Sequence, residues 1–228
     1  MEKLKITLFE YGILAFTAIV VIIGIVSAQI NIQWFEEVYV VEDGFVENLT
    51  LLPLIGVAII GICYLRKLSR YRSRWFRIVI LMSILFSVFV VGEEISWGQR
   101  IFGIRSSEFF IENNSQGETN LHNLVVGSTK INKVIFSQLL TVCMAFYLIA
   151  LPILYKKNRK WQAFIDYMGV PVPRVYQIMA SIVLFMSILL IPSGKNAEIL
   201  EVGITYIFFL IYTFPLNKHN FQTQPATK

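Results

Sequence analysis

Charge is scarce in this sequence, and so are the side chains on which thiol and soft-metal chemistry depend. Asp, Glu, Lys and Arg make up 15% of the chain against 56% hydrophobic residues, and mean hydropathy is +0.63. A soluble domain carries about 25% charged residues, so this composition excludes an ordinary water-soluble domain and requires most of the surface to face lipid. The only cysteines, Cys63 and Cys143, each lie inside an apolar run. They offer no water-facing pair for a disulfide framework and read as small apolar packing residues. With two histidines, His122 and His219, the chain encodes no His-rich or Cys-rich zinc site. Phosphate loops, nucleotide motifs and familiar catalytic signatures are absent, as are internal repeats, low-complexity tracts and any sign of a second domain.

Long apolar runs fill the space these absences leave. A helix needs about 20 apolar residues to cross a bilayer, and runs of that kind recur while strand-type alternation does not. The expectation is an all-α polytopic transmembrane bundle forming one integral membrane domain over 1–228. It has about six spans, at 7–30, 49–65, 76–95, 134–155, 175–192 and 199–216. Cationic loops stay on the cytoplasmic side. Fifteen of the twenty Lys and Arg fall in the N-terminus, the loop from Arg66 to Arg77, the loop from Lys156 to Arg174, and the tail. Both termini are therefore expected in the cytoplasm. This distribution also accounts for the net charge of +5 without nucleic acid. The loop from Arg66 to Arg77 equally suits anionic lipid headgroups. An alternative for the first run is a cleaved signal peptide, since Lys3 and Lys5 precede it and Val26-Ser27-Ala28 is a tolerable cleavage pattern. Its length and the internal Glu10 favour a retained span.

The acids are distributed in the opposite sense. Twelve of the fifteen lie in the expected outer loops or at outer helix ends, a pattern that topology alone does not demand. Segments 31–48 and 97–133 mix these acids with aromatics, such as Trp34, Tyr39, Trp97 and Phe109, and are expected to lie in the interface. Four clusters stand out. Asp43 and Glu47 are four apart and would share one face of a helix. Glu93 and Glu94 are adjacent at the end of the third span, where partial desolvation suits a proton-transfer pair. Glu118 and His122, one helical turn apart, suit a shared metal or a Glu-oriented histidine base. Glu198 and Glu201 repeat that spacing. His219 sits in a polar tail and reads as solvated. The loop holding Asp166, Pro171 and Pro173 reads as an irregular connection without chemistry.

Three strings carry a resemblance: Glu-Asp-Gly-x-x-Glu-Asn at 42–48, Gly-Glu-Glu-Ile-Ser-Trp-Gly-Gln-Arg at 92–100, and Gln-Gly-Glu-Thr-Asn-Leu-His-Asn at 116–123. They resemble those of a family of uncharacterised bacterial polytopic membrane proteins. The resemblance implies a location in the bacterial cytoplasmic (inner) membrane and a shared site, without naming a reaction. The paired glutamates followed by an aromatic are also similar to the first motif of the CAAX-processing intramembrane endopeptidases. There, Gly98 stands where the motif places its Arg, and the later motifs are missing. Trp34-x-Glu36 with Glu47-Asn48 is similar to the alkaline ceramidases, whose His-x-x-x-His pair has no counterpart.

Two functions are expected to compete. One is a membrane-embedded hydrolase or transferase acting at the outer leaflet on a lipid, a lipid-linked sugar or a membrane peptide. Glu93, Glu94 and His122 would be its catalytic groups. Asn120, Asn123, Trp97 and Arg100 would hold substrate, and Asp43, Glu47 and Glu118 would hold a divalent cation through oxygen ligands. A Ser96/His122 nucleophilic dyad is conceivable on composition but has no support from spacing. The other function is non-enzymatic: a cation site in a transporter, or a cap that docks a protein partner. The apolar interiors of spans four and five carry no charge, so no relay across the bilayer is evident.

Overall fold

The computed structural model describes residues 5–121, 123–126, 129–130 and 140–223. Most of the described chain is helical. In order, its helices are α1 (Leu8–Ile30), α2 (Ile32–Trp34), α3 (Phe45–Leu68), α4 (Arg74–Glu94), α5 (Gln99–Phe102) and α6 (Glu108–Asn113). They continue with α7 (Leu140–Ala145), α8 (Leu151–Lys157), α9 (Arg159–Met168), α10 (Val175–Ile188) and α11 (Asn196–Thr213). A two-residue antiparallel ladder, β1 (Val125–Val126) with β2 (Thr129–Lys130), is the only sheet among the described residues. Four helices, α1, α3, α4 and α11, are long and apolar enough to cross a membrane. Large apolar side chains point outward along them, among them Ile19, Ile22 and Ile23 on α1 and Leu81, Met82, Leu85 and Phe86 on α4. A soluble fold would bury such rows.

The expected second span lengthens at both ends into α3. The fifth shortens to the 14 residues of α10, because the backbone turns at Leu189–Leu190 instead of continuing to Pro192. The start of the expected fourth span lies outside the described residues. Its described part, α7 and α8, is joined by a π-helical turn at Phe146–Ala150.

The chain divides into two compact units. One comprises Met1–Val57 and Pro173–Lys218, the other Ala58–Val172 and His219–Lys228, so α3 runs from the first into the second. In the first unit α1 and α10 both pack on α11. The core is apolar: Val20, Val21 and Ala28 of α1, Leu184 and Ile188 of α10, and Ile199, Val202, Ile207, Leu210 and Ile211 of α11. Gly203 has no side chain because Leu184 occupies the space a Cβ would need. After α1 the chain turns back through α2 and a π-helical turn, Phe35–Tyr39. Phe35, Tyr39 and Val40 are buried, and the Tyr39 hydroxyl donates to the Val20 carbonyl at 2.8 Å. Burial pushes that hydroxyl up to about 12.

The ends of these helices are joined by polar side chains. Thr7 and Glu10 form a reciprocal capping box at the start of α1. Glu10 is 0% exposed. Its Oε1 accepts from the Arg174 guanidinium at 2.6 Å and from the Tyr176 hydroxyl at 2.5 Å, while Oε2 accepts from the Thr7 N–H at 2.7 Å. Arg174 also donates to the Lys5 carbonyl. Gln177 then carries the network to α11, donating to the Leu210 and Phe214 carbonyls. An acid inside an apolar run must find a partner, and here the partner lies 164 residues away.

The second unit contains the rest of α3, with α4 packed against α9. Phe76 of α4 is fully buried beneath Gly169, whose missing Cβ leaves room for its ring. The connection expected to be irregular contains α9, a strongly amphipathic helix. Its N-cap Asn158 accepts from the N–H groups of Lys160 and Trp161, and it ends at Gly169 with φ of 71°. Pro171 and Pro173 come only after that stop.

Candidate functional site

The candidate site forms where α4 ends, and it brings two of the three sequence strings together. Glu94 is the last residue of α4. Ser96, Trp97 and Gly98 then adopt φ of 47°, 54° and 77°, three successive residues in the left-handed region. Gly98 enters that region without steric cost, whereas Ser96 and Trp97 do so against their preference and must be held there by their contacts. The reversal folds the Trp97 indole back over α4. Gly92 makes room for it, since a Cβ there would meet the ring at 2.8 Å. Phe89 meets the same ring edge-on, with centroids 5.9 Å apart.

Contacts from this turn tie it to the loop 114–124. Glu93, 3% exposed, accepts from Trp97 Nε1 at 2.8 Å through one oxygen and from the Leu121 N–H at 2.6 Å through the other. The Ser96 hydroxyl donates to Glu118 Oε2 at 2.5 Å and accepts from Asn120 Nδ2 at 2.9 Å. Gln99 Oε1 accepts from the Thr119 N–H and from the Ser106 hydroxyl. Arg100 Nε lies 3.5 Å from Glu118 Oε1, and its Nη2 reaches the Glu94 carbonyl. The loop also holds itself together. Asn114 Oδ1 accepts from the N–H groups of Gln116 and Glu118, Asn114 Nδ2 donates to the Asn120 carbonyl and Oδ1, and Asn120 Oδ1 accepts from the Asn123 N–H. Asn123 Nδ2 donates to Gln116 Oε1.

The residues singled out from sequence are placed as follows. Glu93 is buried and both its oxygens accept bonds within the chain, so it positions Trp97 and the backbone at Leu121. Glu94 is half-buried beside it. Trp97 presents half of its surface outward, and Arg100 is exposed. Glu118 is not on a helix. His122 itself lies outside the described residues. Ser96 is 1% exposed and ties the two strings through Glu118 and Asn120.

Asp43 and Glu47 belong to the first unit, whereas Glu93 and Glu118 belong to the second. Asp43 precedes α3 with φ of 62° instead of sharing its face. Glu47 Oε2 accepts from the Asp43 N–H at 2.5 Å, and Asn48 Nδ2 donates to the carbonyls of Asp43 and Gly44. This is a helix-start clamp built from the first string. Among the described residues no three His, Cys, Asp or Glu gather as metal ligands would.

Sequence reading missed Gln99, Ser106, Asn114 and Thr119 as parts of this cluster. Asn114 had a signal in the Asn-Asn-Ser-Gln-Gly run, whose composition favours side-chain-stabilised turns; Ser106 had none. Compared with protein-family models, curated proteins and solved structures, the chain matches none.

Proposed function

We propose that the chain is a multi-pass membrane protein of about six spans with both termini in the cytoplasm, residing in a bacterial cytoplasmic membrane. Its site at the end of α4 serves a hydrolase or transferase working at the outer leaflet. The substrate class is a lipid, a lipid-linked sugar or a membrane peptide. The observation that carries this reading is the convergence of the strings 92–100 and 116–123 on a backbone held in the left-handed region at two non-glycine residues. Strain of this kind costs about 1–3 kcal/mol per residue and clusters at working sites.

In this reading Glu94 and His122 act as the proton-transfer groups. Glu93 is a positioning residue: it grips the N–H of Leu121, next in the chain to His122, while Asn120 grips the N–H of Asn123 on the other side. Arg100 and the outward half of Trp97 face substrate. The shared strings are also the reason to set the chain beside the uncharacterised bacterial membrane family. The test is turnover of outer-leaflet lipids or lipid-linked substrates by the purified protein and by Glu94→Gln and His122→Gln variants. Loss of turnover in both, with insertion retained, supports the assignment; full turnover in both removes the site from the chemistry.

A second reading draws on a different observation. Glu93 and Glu118 spend their oxygens on partners within the cluster, as they would in a rigid cap, and Ile101, Phe102, Ile104 and Phe109 stand exposed beside it. A docking subunit of an envelope complex needs such a cap. Metal content of the purified protein separates the two: a near-stoichiometric divalent ion lost in the Glu94→Gln/His122→Gln double variant favours the enzyme, and a stable co-purifying partner without turnover favours the cap.

A further inference from the structure

Helix α9 presents a surface that neither reading uses. One side is fixed to its own unit. Ile165 is buried, Asp166 accepts from the Tyr155 hydroxyl through its side chain and from Asn220 through its carbonyl, and the Ser73 hydroxyl donates to the Tyr167 carbonyl at 2.6 Å. The other side is apolar and uncovered: Trp161, Phe164 and Tyr167, spaced three apart, are 45%, 52% and 52% exposed. Trp161 and Phe164 meet edge-on, with centroids 5.8 Å apart.

At one end of this stripe stand four exposed cations within five residues. Lys156 and Lys157 close α8, Asn158 breaks the helix, and Arg159 and Lys160 open α9. None of the four is in an ion pair among the described residues. Lys156 and Lys157 complement the negative C-terminal end of α8, but Arg159 and Lys160 oppose the positive N-terminal end of α9. Helix stability therefore does not explain the second pair; cytoplasmic retention accounts for the charge, and its placement beside the stripe also suits an external anion.

We propose that α9 is an anionic-phospholipid contact. The helix lies in the plane of the leaflet, its three rings at the glycerol level and its four cations on headgroup phosphates. The polar edges of Trp161 and Tyr167 favour that depth. A helix with a large apolar moment, little net hydrophobicity and basic residues is the type that lies at a bilayer surface. The contact rests on the membrane reading above, and it is separate from the site at the end of α4.

The full-length protein tests this in bilayers of phosphatidylcholine containing a minor fraction of lipid brominated near the glycerol end of its acyl chains. The brominated lipid is either phosphatidylglycerol or phosphatidylcholine. Quenching assigned to Trp161 is the difference between the parent protein and Trp161→Phe. The expected result is stronger Trp161 quenching by the anionic lipid than by the same fraction of the zwitterionic one. That excess is lost in molar salt, where the screening length falls to about 3 Å, and in Lys156→Gln/Lys157→Gln/Arg159→Gln/Lys160→Gln. Equal quenching by both lipids overturns the anionic preference. Quenching by neither keeps the stripe out of the bilayer and overturns the proposal outright. Alkaline carbonate extraction of the same samples separates the two levels: release from the membrane refutes the membrane reading itself, whereas retention without the anionic excess refutes only the role of α9.

Discussion

Substituting Glu10 probes the first unit where its polar and apolar parts meet. Glu10→Gln leaves the buried Arg174 guanidinium without its carboxylate, beside a neutral amide, with the Lys5 carbonyl and the Tyr176 ring among its remaining contacts. Breaking a buried pair from one side costs about 3–5 kcal/mol, because the remaining charge keeps its desolvation penalty and loses its compensation. Gln retains an oxygen for Tyr176 or for the Thr7 N–H, so the loss should fall toward the lower end of that range. For a chain of this size, 1 kcal/mol shifts the midpoint by about 2–4 °C, which places the expected drop, for a loss of about 3 kcal/mol, at about 6–12 °C. The assay is the fraction of detergent-purified protein remaining monodisperse after a temperature series. Parent, Glu10→Gln, Arg174→Gln and the double variant would be measured together. The double variant should lose less than the sum of the singles, since removing both charges leaves neither stranded. Single variants within about 0.5 kcal/mol of the parent, the range of ordinary surface substitutions, or strictly additive losses would refute the pairing.

Glu93→Gln replaces one acceptor oxygen with an N–H₂ that opposes either Trp97 Nε1 or the Leu121 N–H. A loss of about 1–3 kcal/mol and a red shift of the Trp97 emission should follow. Gly98→Ala introduces a Cβ at φ of 77° and should destabilise by about 1–2 kcal/mol. Gly98→Asn should lose less because Asn tolerates that region, and equal losses from the two would show that crowding by Phe102, not backbone conformation, dominates. Tyr39 holds its proton to about pH 12 in the folded chain, whereas an unfolded tyrosine releases it near 10. Stability is therefore intact below about pH 10 and falls between about pH 10 and 12. Tyr39→Phe should flatten that fall in an alkaline unfolding series, and an unchanged slope would place the titration elsewhere.

The helices α1, α3, α4 and α11 were legible because an apolar run of sufficient length has few other folded outcomes, whereas the Thr7–Glu10 capping box at the first start was not read. What sequence does not reveal is which polar residues spend themselves on one another. Glu10 was visible as a lone acid and Arg174 as one of several loop cations, but a pair separated by 164 residues has no local signature. The strings 92–100 and 116–123 were recognisable individually. Their union depends on left-handed backbone at Ser96 and Trp97, residue types without a preference for it. Asp43 and Glu47 show the opposite error: a four-residue spacing suggested a helical face, whereas Asp43 lies ahead of the helix and Glu47 reaches back to cap it. At α9 the two prolines drew attention away from a helix that Gly169 had already ended.

The Glu10–Arg174 pair also sets an order of assembly. At about 5–20 residues per second, the 164 residues between the partners take about 8–33 s to synthesise. During that time α1 has left the ribosome with its carboxylate still waiting, and the segment from Ala58 to Val172 emerges in between. The first unit therefore closes only after the segment from Ala58 to Val172 has been made, although it contains the first helix. A nascent chain stalled before residue 174 should hold α1 unlatched, within reach of quality-control proteases that the finished protein escapes.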